Sequence, residues 1–184
     1  MKIIIAIIFL EWAIAAKAET IKVTATPNSI HNAIRKARNG DTLLIKKGFY
    51  KEHDITVDKR LTIIGENFPV IDACNKYQAI IITADSTVVQ GIQVQNIGTA
   101  SIIDMAGIRI VNAKAVVIKN NKLIDNTFAI YLQNATWCYI ANNTIHSNHK
   151  DELNGGNGIH AWHCDYLLIK DNDISGHRDG IYFE

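Results

Sequence analysis

The chain has 184 residues, is 48% hydrophobic and 20% charged, and carries a formal net charge of +1. That is enough chain for one ordinary domain and enough apolar content to fill a core, and with no basic block it excludes the concentrated positive face of a nucleic-acid binder. Only 2 Pro and 11 Gly exclude collagen-like and linker-like chains, whereas 32 Ile and 17 Asn predict many short strands joined at polar corners, because Ile suits a pleated surface and Asn tolerates left-handed turns.

Met1-Lys2 precedes the uninterrupted apolar run from Ile3 to Leu10, and Ala16-Lys17-Ala18 follows, with Glu11 the odd residue between. A basic start, an apolar run too short to span a bilayer and small residues before a cut predict a secretory signal peptide over 1–18, cleaved after Ala18. The alternative is a membrane anchor. Export into a periplasm permits disulfides, but three Cys make no disulfide framework.

Residues 19–60 predict a cap and a first coil. Asn28 or Ser29 can cap a helix whose apolar stripe is Ile30, Ala33, Ile34 and Ala37, stopped by Gly40. A solenoid exposes core and strand edges at its end, and this helix is placed to cover them. Thr42–Ile45, Ile55–Val57, Leu61–Ile64 and Val88-Val89 then predict the strands of the opening coils.

Residues 61–184 predict the remaining coils, and their later part repeats. Gly107-Ile-Arg-Ile110, Ala129-Ile-Tyr-Leu132, Gly158-Ile-His-Ala161 and Gly180-Ile-Tyr-Phe183 start 22, 29 and 22 residues apart. Val116-Val-Ile-Lys-Asn-Asn121, Cys138-Tyr-Ile-Ala-Asn-Asn143 and Leu167-Leu-Ile-Lys-Asp-Asn172 keep the same step, with seven extra residues lodged in 149–156. Short strands with period-2 alternation in a 22-residue unit predict an all-β fold, a right-handed single-stranded parallel β-helix with an N-terminal capping helix. Coils would rise by one strand spacing, roughly 4.8 Å.

Equivalent inward residues then stack: Ile108, Ile130, Ile159 and Ile181; Ile118, Ile140 and Ile169; Leu123, Ile145 and Ile174. Asn121, Asn143 and Asn172 recur at one corner and predict an amide ladder bonding the backbone from coil to coil. Cys138 shares the inward slot of Val116 and Leu167, and Cys164 the small slot of Ala113 and Ala135, so both serve as apolar core fillers. Cys74 lies outside the repeat. The chain stops at Glu184 inside a fresh coil, from which a C-terminally truncated solenoid is expected.

Asn39-Gly-Asp-Thr-Leu-Leu-Ile45, Gly48, Tyr50, Leu61-Thr-Ile-Ile-Gly-Glu66 and Val70-Ile-Asp72 resemble the opening coils of the pectate-lyase-like, carbohydrate-binding-and-hydrolase superfamily. That likeness implies fold, not function. Gly156-Asn-Gly-Ile-His-Ala-Trp162 and Gly176-His-Arg-Asp-Gly-Ile-Tyr-Phe-Glu184 resemble the NosD family more closely, over roughly residues 28 to 184. The resemblance implies a non-enzymatic periplasmic accessory protein of nitrous-oxide reductase maturation, a soluble domain beside the membrane. The partners it implies are an ABC transporter ATPase and permease, a copper chaperone lipoprotein and the reductase, whose copper–sulfide centre is assembled. It assigns no bound cofactor, leaves copper binding by this chain open and supplies no ligand set.

Alternation puts Arg109, Tyr131, His160 and Tyr182 in one outward row and Val111, Gln133, Trp162 and Glu184 in the next. Tyr131, His160, Trp162 and Tyr182 are candidates for a partner-docking face, the alternative being a ladder of rings that stabilises the sheet. His160 and His163, with His146 and His149 a coil earlier, invite a copper reading because imidazole suits that metal; the alternative is surface histidines on a turn-rich face. His177, Arg178 and Asp179 either join the docking face, brace the turn before Gly180, or act as base and anion clamp in a polysaccharide lyase or epimerase. No coil gathers the carboxylates that a calcium-dependent lyase or a glycosidase needs.

Overall fold

The structure, a computed structural model, describes residues 17–100, 102–148 and 155–184. The predicted signal peptide lies almost wholly outside these residues. β1 (Thr20–Val23) leads into α1 (Ser29–Lys36), followed by β2 (Thr42–Ile45), β3 (Phe49–Tyr50) and β4 (Ile55–Val57). The next coils bring β5 (Thr62–Gly65), β6 (Val70–Asp72) and β7 (Ile80–Ile82), then β8 (Val88–Gln90), β9 (Gln93–Gln95) and β10 (Ala106–Val111). The repeat proper gives β11 (Val117–Lys119), β12 (Lys122–Ile124) and β13 (Phe128–Gln133), then β14 (Tyr139–Ala141), β15 (Thr144–His146) and β16 (Asn157–Trp162). β17 (Leu168–Lys170), β18 (Asp173–Ser175) and β19 (Asp179–Phe183) complete the described elements.

These strands form three sheets, ordered β1-β2-β5-β8-β11-β14-β17, β3-β6-β9-β12-β15-β18 and β4-β7-β10-β13-β16-β19. Every pairing within them is parallel, so each strand lies beside its equivalent from the next coil, as in a parallel β-helix. The opening coils hold strands that the sequence pattern did not mark, β1, β3, β6, β7 and β9 among them, each only two to four residues long.

The core is three ladders of aliphatic side chains. One runs Ile55, Ile80, Ile108, Ile130, Ile159, Ile181. Another runs Leu43, Ile63, Val89, Ile118, Ile140, Ile169, and the third Tyr50, Ile71, Val94, Leu123, Ile145, Ile174. Most of these side chains are fully buried, and burial of each Ile contributes about 1.5–3 kcal/mol. Cys138 is buried among them and Cys164 packs against them, while Cys74 is exposed; all three are free thiols.

The corner between the first and second sheets explains the paired polar residues of the repeat. Gly91, Asn120, Asn142 and Asp171 occupy equivalent places with φ of 73°, 55°, 53° and 54°. Asn and Asp are the non-glycine residues that tolerate this left-handed region best. Asn121, Asn143 and Asn172 follow directly and turn their amides inward along the solenoid.

α1 buries Ile30, Ala33 and Ile34 over the first strands. Its capping differs from the expectation. Asn28 is left-handed and its side chain makes no capping bond. Glu52, buried just before β4, accepts instead from the Ile30 and His31 backbone N–H groups and from the Ser29 hydroxyl, while His31 Nδ1 lies 2.7 Å from it. At the other end Lys59 Nζ donates to the carbonyls of Ile34, Arg35 and Ala37. A carboxylate at the N-terminus and an ammonium at the C-terminus both complement the helix dipole. The helix stops before Gly40, at Ala37, whose backbone is already extended.

Candidate functional site

β10, β13, β16 and β19 place Arg109, Tyr131, His160 and Tyr182 directly over one another on the outer side of the third sheet. The row exists, but its centre is no exposed face: Tyr131 is 7% and His160 6% exposed. Flat side chains one strand spacing apart hide one another's faces. The Tyr131 and His160 rings are 4.5 Å apart and 7° from parallel, and Phe128 meets both edge-on. Arg109 lies over the other face of Tyr131 at 4.8 Å, anchored by Gln133 Oε1 at 2.7 Å and the Asp104 carbonyl at 2.9 Å. Tyr182, on the last described strand, is 40% exposed.

In the neighbouring row Gln133 pairs with Trp162, which is half-buried with its indole stacked on His163 at 3.9 Å. Glu184 Oε2 comes to 3.5 Å from His160 Nε2.

His177-Arg178-Asp179 forms the turn into β19. The Arg178 backbone N–H donates to the Gly156 carbonyl, and its guanidinium bonds Asp179 Oδ2 at 3.0 Å and Asn157 Oδ1 at 3.2 Å. Asn157 in turn contacts His160 Nδ1 at 2.9 Å. The structure therefore joins Arg178 to His160 through a residue that the sequence reading did not single out. Its only signal was its place opposite Asp179 in the adjoining coil. His177 is half-buried at the head of the turn. Beside this group lies a cleft of about 370 Å³, lined among others by Asp104, Thr127, Phe128, Gly156 and Arg178.

Burial pushes the Tyr131 phenol up and the His160 imidazole down; the carboxylates of Glu184 and Asp104 oppose the latter effect without reversing it. Burial also raises both the Cys138 and the Cys164 thiol. A second aromatic pair, also absent from the sequence reading, is Trp137 and Tyr166. They stack 4.2 Å apart at one corner and are 61% and 70% exposed.

These residues do not fit a copper centre. Among the described residues no three His, Cys, Asp or Glu side chains gather as a metal-binding group. His160 Nδ1 is engaged by the Asn157 amide, His163 lies flat on Trp162, and His146 bonds Ser175 and Asn148. His149 lies outside the described residues.

No helix among the described residues is long and apolar enough to cross a membrane. A search of curated proteins gives no match. Residues 34–184, from within α1 through every later coil, match the family described as "Periplasmic copper-binding protein (NosD)", and the chain belongs to that family of periplasmic proteins.

Proposed function

We propose that this chain is an accessory protein in the maturation of nitrous-oxide reductase, a non-enzymatic scaffold used while the copper–sulfide centre of the reductase is assembled. It works with an ABC transporter ATPase and permease, a copper chaperone lipoprotein and the reductase itself. The observation that carries this reading is the family match, which runs from within α1 to Glu184 rather than over one motif. The geometry supports a scaffold. The Asp179 carboxylate, the candidate base of a lyase, is tied to its neighbour Arg178. The buried Glu52 carboxylate caps α1. Exposed rings at Trp137 and Tyr166 offer anchors for a partner.

The test is genetic and chemical. Reductase isolated from cells lacking this chain should be deficient in copper and in nitrous-oxide reduction, and the restored gene should recover both. Fully loaded, active reductase from the deleted strain would refute the proposal. Turnover of polyuronates by the purified chain, lost in Asp179→Asn, would move it to the carbohydrate-active class instead.

A further inference from the structure

His160 is almost wholly buried, yet its two ring nitrogens meet different surroundings, and three neighbouring groups decide which one carries the proton. Arg178 Nη2 lies 3.2 Å from one terminal atom of the Asn157 amide, and His160 Nδ1 lies 2.9 Å from the other. A guanidinium only donates, so the Asn157 atom facing it is the oxygen. The atom facing His160 is then the NH2 group, which also only donates. Nδ1 must accept, and in a neutral imidazole the proton then sits on Nε2. Nε2 has no hydrogen-bond partner at ordinary distance among the described residues and points towards the Glu184 carboxylate at 3.5 Å. The stacked Tyr131 ring and the tilted Tyr182 ring restrain the plane of the imidazole.

We infer that Arg178 and Asn157 are positioning residues that hold His160 as its Nε2–H tautomer, with that N–H turned towards the Glu184 carboxylate, and that His160 is not a copper ligand. Both lone pairs that a metal could use are unavailable: one accepts from Asn157 and the other is replaced by a proton. A metal-binding histidine is normally set the opposite way, with its second nitrogen donating to a carboxylate or carbonyl that frees the first. The inference does not depend on the maturation role proposed above. It assigns any copper bound by this chain to groups other than His160.

The wild-type protein tests this directly. Long-range proton–nitrogen correlation spectra of the 15N-histidine-labelled chain should show a pyridine-like Nδ1 and a pyrrole-like Nε2 for His160, assigned by its loss in His160→Gln. The opposite pattern would overturn the inference. Asn157→Asp turns the facing group into an acceptor and should invert the tautomer; an unchanged tautomer in a folded Asn157→Asp protein would remove Asn157 from the positioning role. Copper(I) titration against a competing chelator should give the same affinity for wild type and His160→Gln, whereas a loss of about tenfold or more, the scale of a disturbed metal site, would overturn it as well.

Discussion

Asn121 and Asn143 stand one coil apart at the same corner, and the Asn121 amide nitrogen donates to Asn143 Oδ1 at 3.1 Å. The same oxygen accepts from the Asn121 backbone N–H at 3.0 Å, and the Asn121 amide also donates to the Val89 carbonyl at 3.0 Å. Asn143 repeats the pattern on Asn172 and on the Ile118 carbonyl. Each amide thus satisfies backbone groups of the preceding coil and donates to the Asn side chain of the next, inside a corner where water cannot.

Asn143→Leu removes an acceptor from Asn121 and a donor from Ile118 and Asn172 while leaving those groups buried. A cost of at least about 1–3 kcal/mol is expected. Urea unfolding should show a lower midpoint at unchanged slope, and an unchanged midpoint would show that the ladder carries no stability.

The cap helix is held by a residue remote in sequence. Glu52→Ala leaves the first N–H groups of α1 without their acceptor and should cost about 1–3 kcal/mol, with hydrogen exchange of residues 29–36 accelerated first. Asn28→Gly should change stability by no more than about 0.5 kcal/mol, because Asn28 makes no side-chain cap and its φ of 57° suits Gly. Equal losses in the two variants would mean that Glu52 is not the cap.

Tyr131 and Trp137 separate ring burial from ring exposure. Tyr131→Ala empties a site packed between Arg109, Phe128 and His160 and should cost about 3–5 kcal/mol by thermal or denaturant unfolding. Trp137→Ala loses only a stack with Tyr166 at an exposed corner and should cost no more than about 1.5 kcal/mol. A destabilised Trp137→Ala beside a tolerant Tyr131→Ala would reverse the assignment of the two rings.

His160 makes stability depend on pH in one direction. Its folded-state value is lowered by burial; the facing carboxylates of Glu184 and Asp104 pull it up and Arg178 pulls it down. The unfolded chain therefore takes up the proton first as pH falls. The contribution is fully present above the ordinary histidine value of about 6.5 and is lost as pH falls below it, levelling off beneath the lower folded value. His160→Gln should flatten that part of the stability profile. An identical profile in the variant would show that His160 does not carry it.

The recurring Gly/Ala-Ile start and the paired Asn at a 22-residue step determined the solenoid, its inward ladders and the stacking of Ile130 on Ile159. Period-2 alternation assigns each side chain to one side of a strand, and a constant step brings equal slots together. Neither property says what lies over the outer side. That was decided by the tertiary structure: Phe128 packs edge-on against the rings of Tyr131 and His160, which cover each other and turn an outward row into a buried one. Capping of α1 by Glu52 and Lys59, and the link from Arg178 through Asn157 to His160, are also tertiary. Their contacts between coils, from Glu52 and Lys59 to α1 and from Arg178 to Asn157, join residues 21 to 25 positions apart through side chains that occur once and leave no periodic trace. Repetition encodes the register, whereas single contacts between coils become specific only after that register has formed.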